Sequence, residues 1–147
     1  MKVYRITTAK WADKLSGSGY PARWNSKGVY VIYTASSRAL ACLENLVHRS
    51  GEGLHNRFKI IEIEIPDHVS IQKIYAKDLL ADWQKTENYP ACQGIGNRWV
   101  EKGKYLLLEV PSSIIREETN VLINPNHPEI KEVKIADIRE FRFDERL

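Results

Sequence analysis

Residues 28–49 read GVYVIYTASSRALACLENLVHR, and a change of period inside this stretch decides the fold. Its first part, GVYVIYTAS (28–36), is β-branched and aromatic, which predicts a buried strand. In SSRALACLENLVHR (36–49) the apolar residues Ala39, Leu40, Leu43, Leu46 and Val47 recur at helical spacing, with Ser36 or Ser37 placed to cap the start. Working outward, KVYRIT (2–7), RFKIIEIEIP (57–66), KYLLLEVP (104–111), TNVLINP (119–125) and DIREFRFDERL (137–147) read as strands. AKDLLADWQKT (76–86) reads as a short helix, and ACQGIGNRWVEKG (91–103) as a glycine-containing loop with one or two helical turns. Strands dominate and do not alternate with long helices, so a doubly wound parallel sheet is disfavoured. The expectation is an α+β chain forming one domain over 1–147, with a twisted mixed β-sheet core and two or three helices.

Composition narrows the function classes. The 147 residues are 43% hydrophobic and include four Trp and seven Tyr, enough for a folded core without disulfide or metal staples. The net charge is +3, with cations and acids interspersed, so no basic tract asks for direct nucleic acid binding. Cys42 and Cys92 lie far apart at no ligand-like spacing, as structural thiols of a reducing compartment do. His127, between Asn126 and Pro128, has no companion ligand nearby, so no metal site is expected. MKVYRITTAKWADKL (1–15) holds no apolar run of signal-peptide length, and no stretch reaches the ~20 apolar residues of a membrane helix. A soluble, cytoplasmic protein without membrane association is expected.

Several residues stand out for their chemistry. GYPARWNSKG (19–28) places Arg23 beside Trp24 in a loop whose turns need only its Gly, Pro and Asn. An Arg fork can grip a phosphate bidentately, and the ordinary alternative is an Arg stacked on a Trp for packing. Tyr33 offers a flat ring with a polar tip. Glu44 sits at the margin of the helix's apolar arc, with Ser37, Ala41 and His48 on its side and Arg38, Asn45 and Arg49 on the wet face. Geometry alone leaves Glu44 between a cleft-lining acid and a boundary carboxylate. Ser112 and Ser113 follow Pro111 without the glycine elbow of a hydrolase nucleophile, so by themselves they are turn serines. No GxGxxG loop is present, which argues against a hydride-transfer dinucleotide site.

Three co-ordered segments, ARWNSKGVYVIYTASSRALACLENLVH (22–48), GIGNRWVEKGKYLLLEVPS (94–112) and NVLINPNHP (120–128), with a terminal FRFDERL (141–147), closely resemble the RES domain family. The family is named for an Arg, a Glu and a Ser, which correspond to Arg23 in ARWN, Glu44 in CLENLVH and Ser112 in VPS; Tyr33 in VIYT matches the tyrosine counted with them. Two neighbours depart from the family pattern. Arg116 stands where Pro is common, and Pro21 precedes ARWN where Gly is frequent.

The resemblance implies the toxin half of a bacterial type II toxin–antitoxin pair, on a fold similar to diphtheria-toxin-like ADP-ribosyltransferases. Family members act on NAD as a substrate rather than a cofactor, most by hydrolysis or phosphorolysis and at least one lineage by transfer of ADP-ribose to a protein. The implied partner is an Xre-type helix-turn-helix antitoxin that occludes the active-site cleft. On this reading Glu44 stabilises positive charge on the ribose as the nicotinamide leaves, as in glycoside cleavage. Arg23 holds the pyrophosphate still, Tyr33 stacks on the nicotinamide, and Ser112 orients the ribose or the amide. Arg5 supplies a second phosphate contact. Two competing expectations are a protein mono-ADP-ribosyltransferase on the same fold and a non-catalytic module that binds RNA or a protein partner.

Overall fold

A computed structural model describes residues 1–48 and 57–147; Arg49 of the sequence reading lies outside the described residues. Seven strands form one sheet: β1 (Lys2–Thr8), β2 (Ile32–Ala35), β3 (Phe58–Glu64), β4 (Ile71–Lys73), β5 (Leu107–Pro111), β6 (Thr119–Ile123) and β7 (Lys134–Phe141). Their order across the sheet is β4-β5-β6-β2-β1-β3-β7. The β4–β5 pair is parallel and every other pair antiparallel, so the sheet is mixed as its irregular connections predict.

Among the described residues two α-helices accompany the sheet, α1 (Arg38–His48) and α2 (Tyr89–Lys102). Ser37 caps α1, its hydroxyl accepting from the Leu40 N–H at 3.1 Å. Leu40 and Ala41 of α1 pack with Ile6, Ala35 and Phe58. Trp99 and Cys92 of α2 pack with Leu108, Val110 and Leu122. Tyr33 and Ala35 point to one face of β2 and join these two clusters respectively, so both helices cover the same face. The opposite face carries Ile32, Ile61, Ile63, Val121 and Ile123, closed over by Ala12, Val69 and Val133.

The strands read over 28–36 and 137–147 are shorter, ending at Ala35 and Phe141, and both segments between β4 and β5 differ from the sequence reading for one shared reason. Residues 91–102 are not loop; they belong to a 14-residue helix that starts with Pro90 in its first turn and ends on Gly103, whose φ of 59° gives a left-handed cap. The helix keeps Gly96 because a Cβ there would lie 1.7 Å from the Trp24 carbonyl oxygen, so the 22–26 loop rests directly on the helix backbone. Residues 76–86, read as a helix, instead form short 3-10 turns at Ala76–Asp78 and Thr86–Asn88 with a turn between. The carbonyls of Trp83 and Gln84 accept from the Arg23 guanidinium rather than from a following helical turn. Tertiary contacts with the 22–26 loop thus override local propensity in both places.

The middle of the sheet determines where a site can form. β1 and β2 share a single registered pair, Tyr4 with Ala35. Beyond it the ladder stops, and Arg5, Ile6, Tyr33 and Thr34 border an open cleft instead of one another.

Candidate functional site

The cleft has a volume of about 770 Å³, within the range of sites that enclose an organic ligand. Arg5, Arg23, Tyr33 and Glu44 all line it, although they come from β1, the 22–26 loop, β2 and α1. Asn45, His48, Tyr89 and Asn120 complete its polar and aromatic wall.

Among the described residues Glu44 is the only acid on that wall. The helix is turned so that Val47 is 62% exposed while the Glu44 side chain keeps 18% of its surface. The periodicity reading therefore placed the apolar arc too far toward Ala39 and Val47, and the Leu40–Ala41–Glu44 side faces inward. Oε1 of Glu44 accepts from Asn120 Nδ2 at 2.7 Å and from Ser112 Oγ at 3.0 Å. Oε2 lies 3.2 Å from His48 Nε2, one helical turn on. Burial pushes the Glu44 carboxyl upward, but the hydrogen bonds of His48, Asn120 and Ser112 outweigh it and hold the group below its usual range. The carboxylate is ionised, held at both oxygens, and turned to the cleft.

Ser112 does not line the cleft. Its side chain is fully buried, and besides donating to Glu44 its oxygen accepts from the N–H groups of Ile114 and Ile115 at 3.1 Å each. Ser113 borders the cleft in its place.

Arg23 is buried to 8% exposure. Nη1 donates to the Trp83 carbonyl at 2.7 Å and Nη2 to the Gln84 carbonyl at 2.8 Å. The guanidinium also lies over the rings of Tyr89 and Trp83, with centroids at 4.6 and 5.4 Å. The aromatic wall expected beside it is therefore Trp83 and Tyr89, while Trp24 is packed at 3% exposure in the core. Asn25 ties the loop together: Nδ2 donates to the carbonyls of Tyr20 and Val29, and Oδ1 accepts from the Tyr33 hydroxyl. The Tyr33 oxygen also accepts from the Trp24 N–H at 3.2 Å, and burial drives its acidity down, so the phenol stays neutral. Arg5 reaches the Ser16 carbonyl at 2.9 Å. Among the described residues neither Arg5 nor Arg23 pairs with a carboxylate.

Asn45, His48, Tyr89 and Asn120 escaped the sequence reading as site residues. The spacing of four between Glu44 and His48 was the available signal for His48. An amide at the head of an apolar strand, TNVLI, was the signal for Asn120. Tyr89 carries no signal of its own, since it precedes residues 91–103, whose glycines point to a loop with one or two helical turns rather than to a helix that starts at Tyr89. Asn45 was placed on the wet face, yet its Nδ2 donates to the Ile6 carbonyl, and the Oδ1 atoms of Asn45 and Asn120 are buried without a hydrogen-bond partner. His127, set aside as a ligand, caps the Pro128–Glu132 turn by accepting from the Glu129 N–H. No cluster of metal-ligating side chains occurs among the described residues. No helix among them is long and apolar enough to cross a membrane.

A family model described as "RES domain" matches residues 2–144, and the chain belongs to that family. It is 41% identical over 141 residues to the Prs ADP-ribosylating toxin of Sphingobium sp. (strain YBL2), covering 92% of this chain and 88% of the relative. It is 35% identical over 152 residues to a Toxin Res of Yersinia enterocolitica, covering 100% of this chain and 99% of the relative. Among solved structures it is similar to the M.tuberculosis MbcT-MbcA toxin-antitoxin complex, with a TM-score of 0.78 over 96% of this chain and 84% of that one, at 17% identity. That likeness is one of fold.

Proposed function

We propose that this protein is the toxin of a toxin–antitoxin pair and that it breaks the bond between nicotinamide and ribose in NAD. The observation that carries the reading is one cleft holding two guanidinium groups without carboxylate partners and a single fixed carboxylate. Two cations facing a concavity call for a ligand with distributed negative charge, and a pyrophosphate supplies it. Arg5 and Arg23 are assigned to the phosphates. Arg23 is a fixed cation, since its own hydrogen bonds and the flanking rings hold its plane before any ligand arrives.

Glu44 is placed beside the reacting ribose. As the carbon–nitrogen bond stretches, positive charge grows on the sugar, and an ionised carboxylate lowers the energy of that state. Tyr33 offers its ring to the nicotinamide. Ser112 and Asn120 act through Glu44: both donate to Oε1, so Oε2, which His48 also reaches, is the oxygen assigned to a ribose hydroxyl. This gives Ser112 a different task from the direct ribose or amide contact expected of it. NAD is consumed as a substrate in this scheme, and no bound cofactor or metal takes part.

Incubation of purified protein with NAD, with and without inorganic phosphate, tests the reading. Release of nicotinamide by the wild type and its loss in Glu44→Ala are expected; undiminished release in that variant removes Glu44 from the chemistry. The acceptor has two readings. Water or phosphate gives net NAD degradation. Transfer of ADP-ribose to a protein is favoured by the 41% identity to a relative named as an ADP-ribosylating toxin. Labelled NAD in a cell lysate separates them, because transfer leaves a discrete labelled protein.

An enzyme that consumes NAD in the cytoplasm needs a restraint. The toxin–antitoxin complex among the similar structures supports an antitoxin as the partner. We assign an Xre-type helix-turn-helix protein that covers the cleft mouth, where Tyr20 stands 79% exposed.

A further inference from the structure

A second cavity, of about 290 Å³, opens beside the cleft, and Pro111 borders both. Lys77 and Arg116 reach it from separate segments, the Ala76–Asp78 turn and the loop between β5 and β6. Among the described residues no acidic side chain lines it. Neither cation belongs to an ion pair among the described residues; Lys77 Nζ rests 5.7 Å from the centroid of the Tyr75 ring. Gln84 adds an amide to the wall, and Leu80, 53% exposed, adds an apolar shelf.

Two cations that line one small concavity without an ion-pair partner among the described residues raise its potential, and an anion is favoured there. A planar Arg fork beside a Lys point charge fits the several oxygens of a phosphate better than a single carboxylate. The neighbouring Leu80, 53% exposed on the cavity wall, suits the body of a molecule larger than the phosphate itself.

We propose that this cavity binds the phosphate group of an organic phosphate, with Lys77 and Arg116 on the phosphate and Leu80 under the organic part. The location gives the site its interest. Trp83 and Gln84 line it, and their carbonyls receive the Arg23 guanidinium. Ser112, next to Pro111, holds Glu44. A ligand here sits against the cleft without entering it, which is where a second substrate would be anchored; that role rests on the NAD-cleaving reading, whereas the binding does not.

Phenyl phosphate is the probe, followed by NMR on the full chain. Saturable shifts centred on Lys77, Leu80 and Arg116 are expected, with inorganic phosphate shifting the same signals more weakly. Lys77→Ala/Arg116→Ala alters two exposed side chains, should leave the fold intact by circular dichroism, and should weaken phenyl phosphate about tenfold or more. Unchanged affinity in that variant overturns the site, as do shifts confined to Arg5 and Arg23. Equal affinity for phenyl and inorganic phosphate overturns the organic part. Because the titration needs no turnover, a protein inert toward NAD but positive here separates failure of the catalytic reading from failure of this one.

Discussion

Ser112 Oγ donates to Oε1 of Glu44 at 3.0 Å while accepting from two backbone N–H groups of the turn that follows β5, so one hydroxyl joins two elements 68 residues apart. A fully buried hydroxyl with three partners leaves several polar groups unsatisfied when it is removed. Ser112→Ala should cost about 1–3 kcal/mol in urea unfolding. NAD cleavage should fall by on the order of 10²-fold because the carboxylate loses its aim. Ser112→Thr, which keeps the hydroxyl, should recover more of the turnover than Ser112→Ala does. Equal turnover in the alanine variant and wild type would show that Glu44 needs no such support.

The lowered pKa of Glu44 makes a statement about stability against pH. Its folded carboxyl binds a proton less readily than the unfolded one, whose value is about 4.3. The unfolded state therefore takes up more protons in this interval, and stability rises with pH there. The contribution is present above the unfolded value and is lost as pH falls through the lower folded value. Urea midpoints of wild type and Glu44→Gln, followed from about pH 6 down to pH 3, should converge at the acid end. A constant gap between the two curves would mean that the hydrogen bonds of His48, Asn120 and Ser112 do not favour the ionised form.

What the sequence disclosed, and what it hid, follow from where each signal is stored. β1, β3 and the start of α1 were legible because alternation and a capping serine are local properties. Arg23, Glu44, Tyr33 and Arg5 were legible as chemistry, and the structure brings all four to one cleft. Their partners were not legible, because Trp83, Tyr89 and Asn120 are distant in sequence and joined only by tertiary contact. The short strand β4 left no pattern, since three residues, two half-buried and one exposed, carry too little periodicity. Gly96 misled for a physical reason: a glycine inside a helix ordinarily weakens it, and here it is required by the approach of another backbone.

That close approach can be tested directly. A methyl at position 96 would place Cβ 1.7 Å from the Trp24 carbonyl oxygen, a contact with backbone that no rotamer change relieves. Gly96→Ala should destabilise by ~3 kcal/mol despite the better helix propensity of alanine. Gly94→Ala serves as the control, since the only neighbour within reach there is the flexible end of Arg98 at 3.5 Å. Thermal unfolding should show a marked drop for the first variant and little change for the second. A stabilised Gly96→Ala would refute the packing of the 22–26 loop on α2.

Arg23 serves the fold before it can serve a ligand, and a conservative substitution separates the two tasks. Its guanidinium spans the Trp83 and Gln84 carbonyls and stacks between Trp83 and Tyr89. Lysine keeps the charge but has neither the planar fork nor the stacking face. Arg23→Lys should therefore lose about 1–3 kcal/mol and loosen residues 79–88, which hydrogen exchange and limited proteolysis would detect. If the same group also holds phosphates, KM for NAD should rise in Arg23→Lys beyond anything caused by unfolding, measured where the variant is fully folded. The corresponding change at Arg5, which has one carbonyl partner at Ser16, should affect KM with a smaller stability loss. An Arg23→Lys protein as stable as wild type would remove the clasp, and one with unaltered KM would leave Arg23 as a structural residue alone.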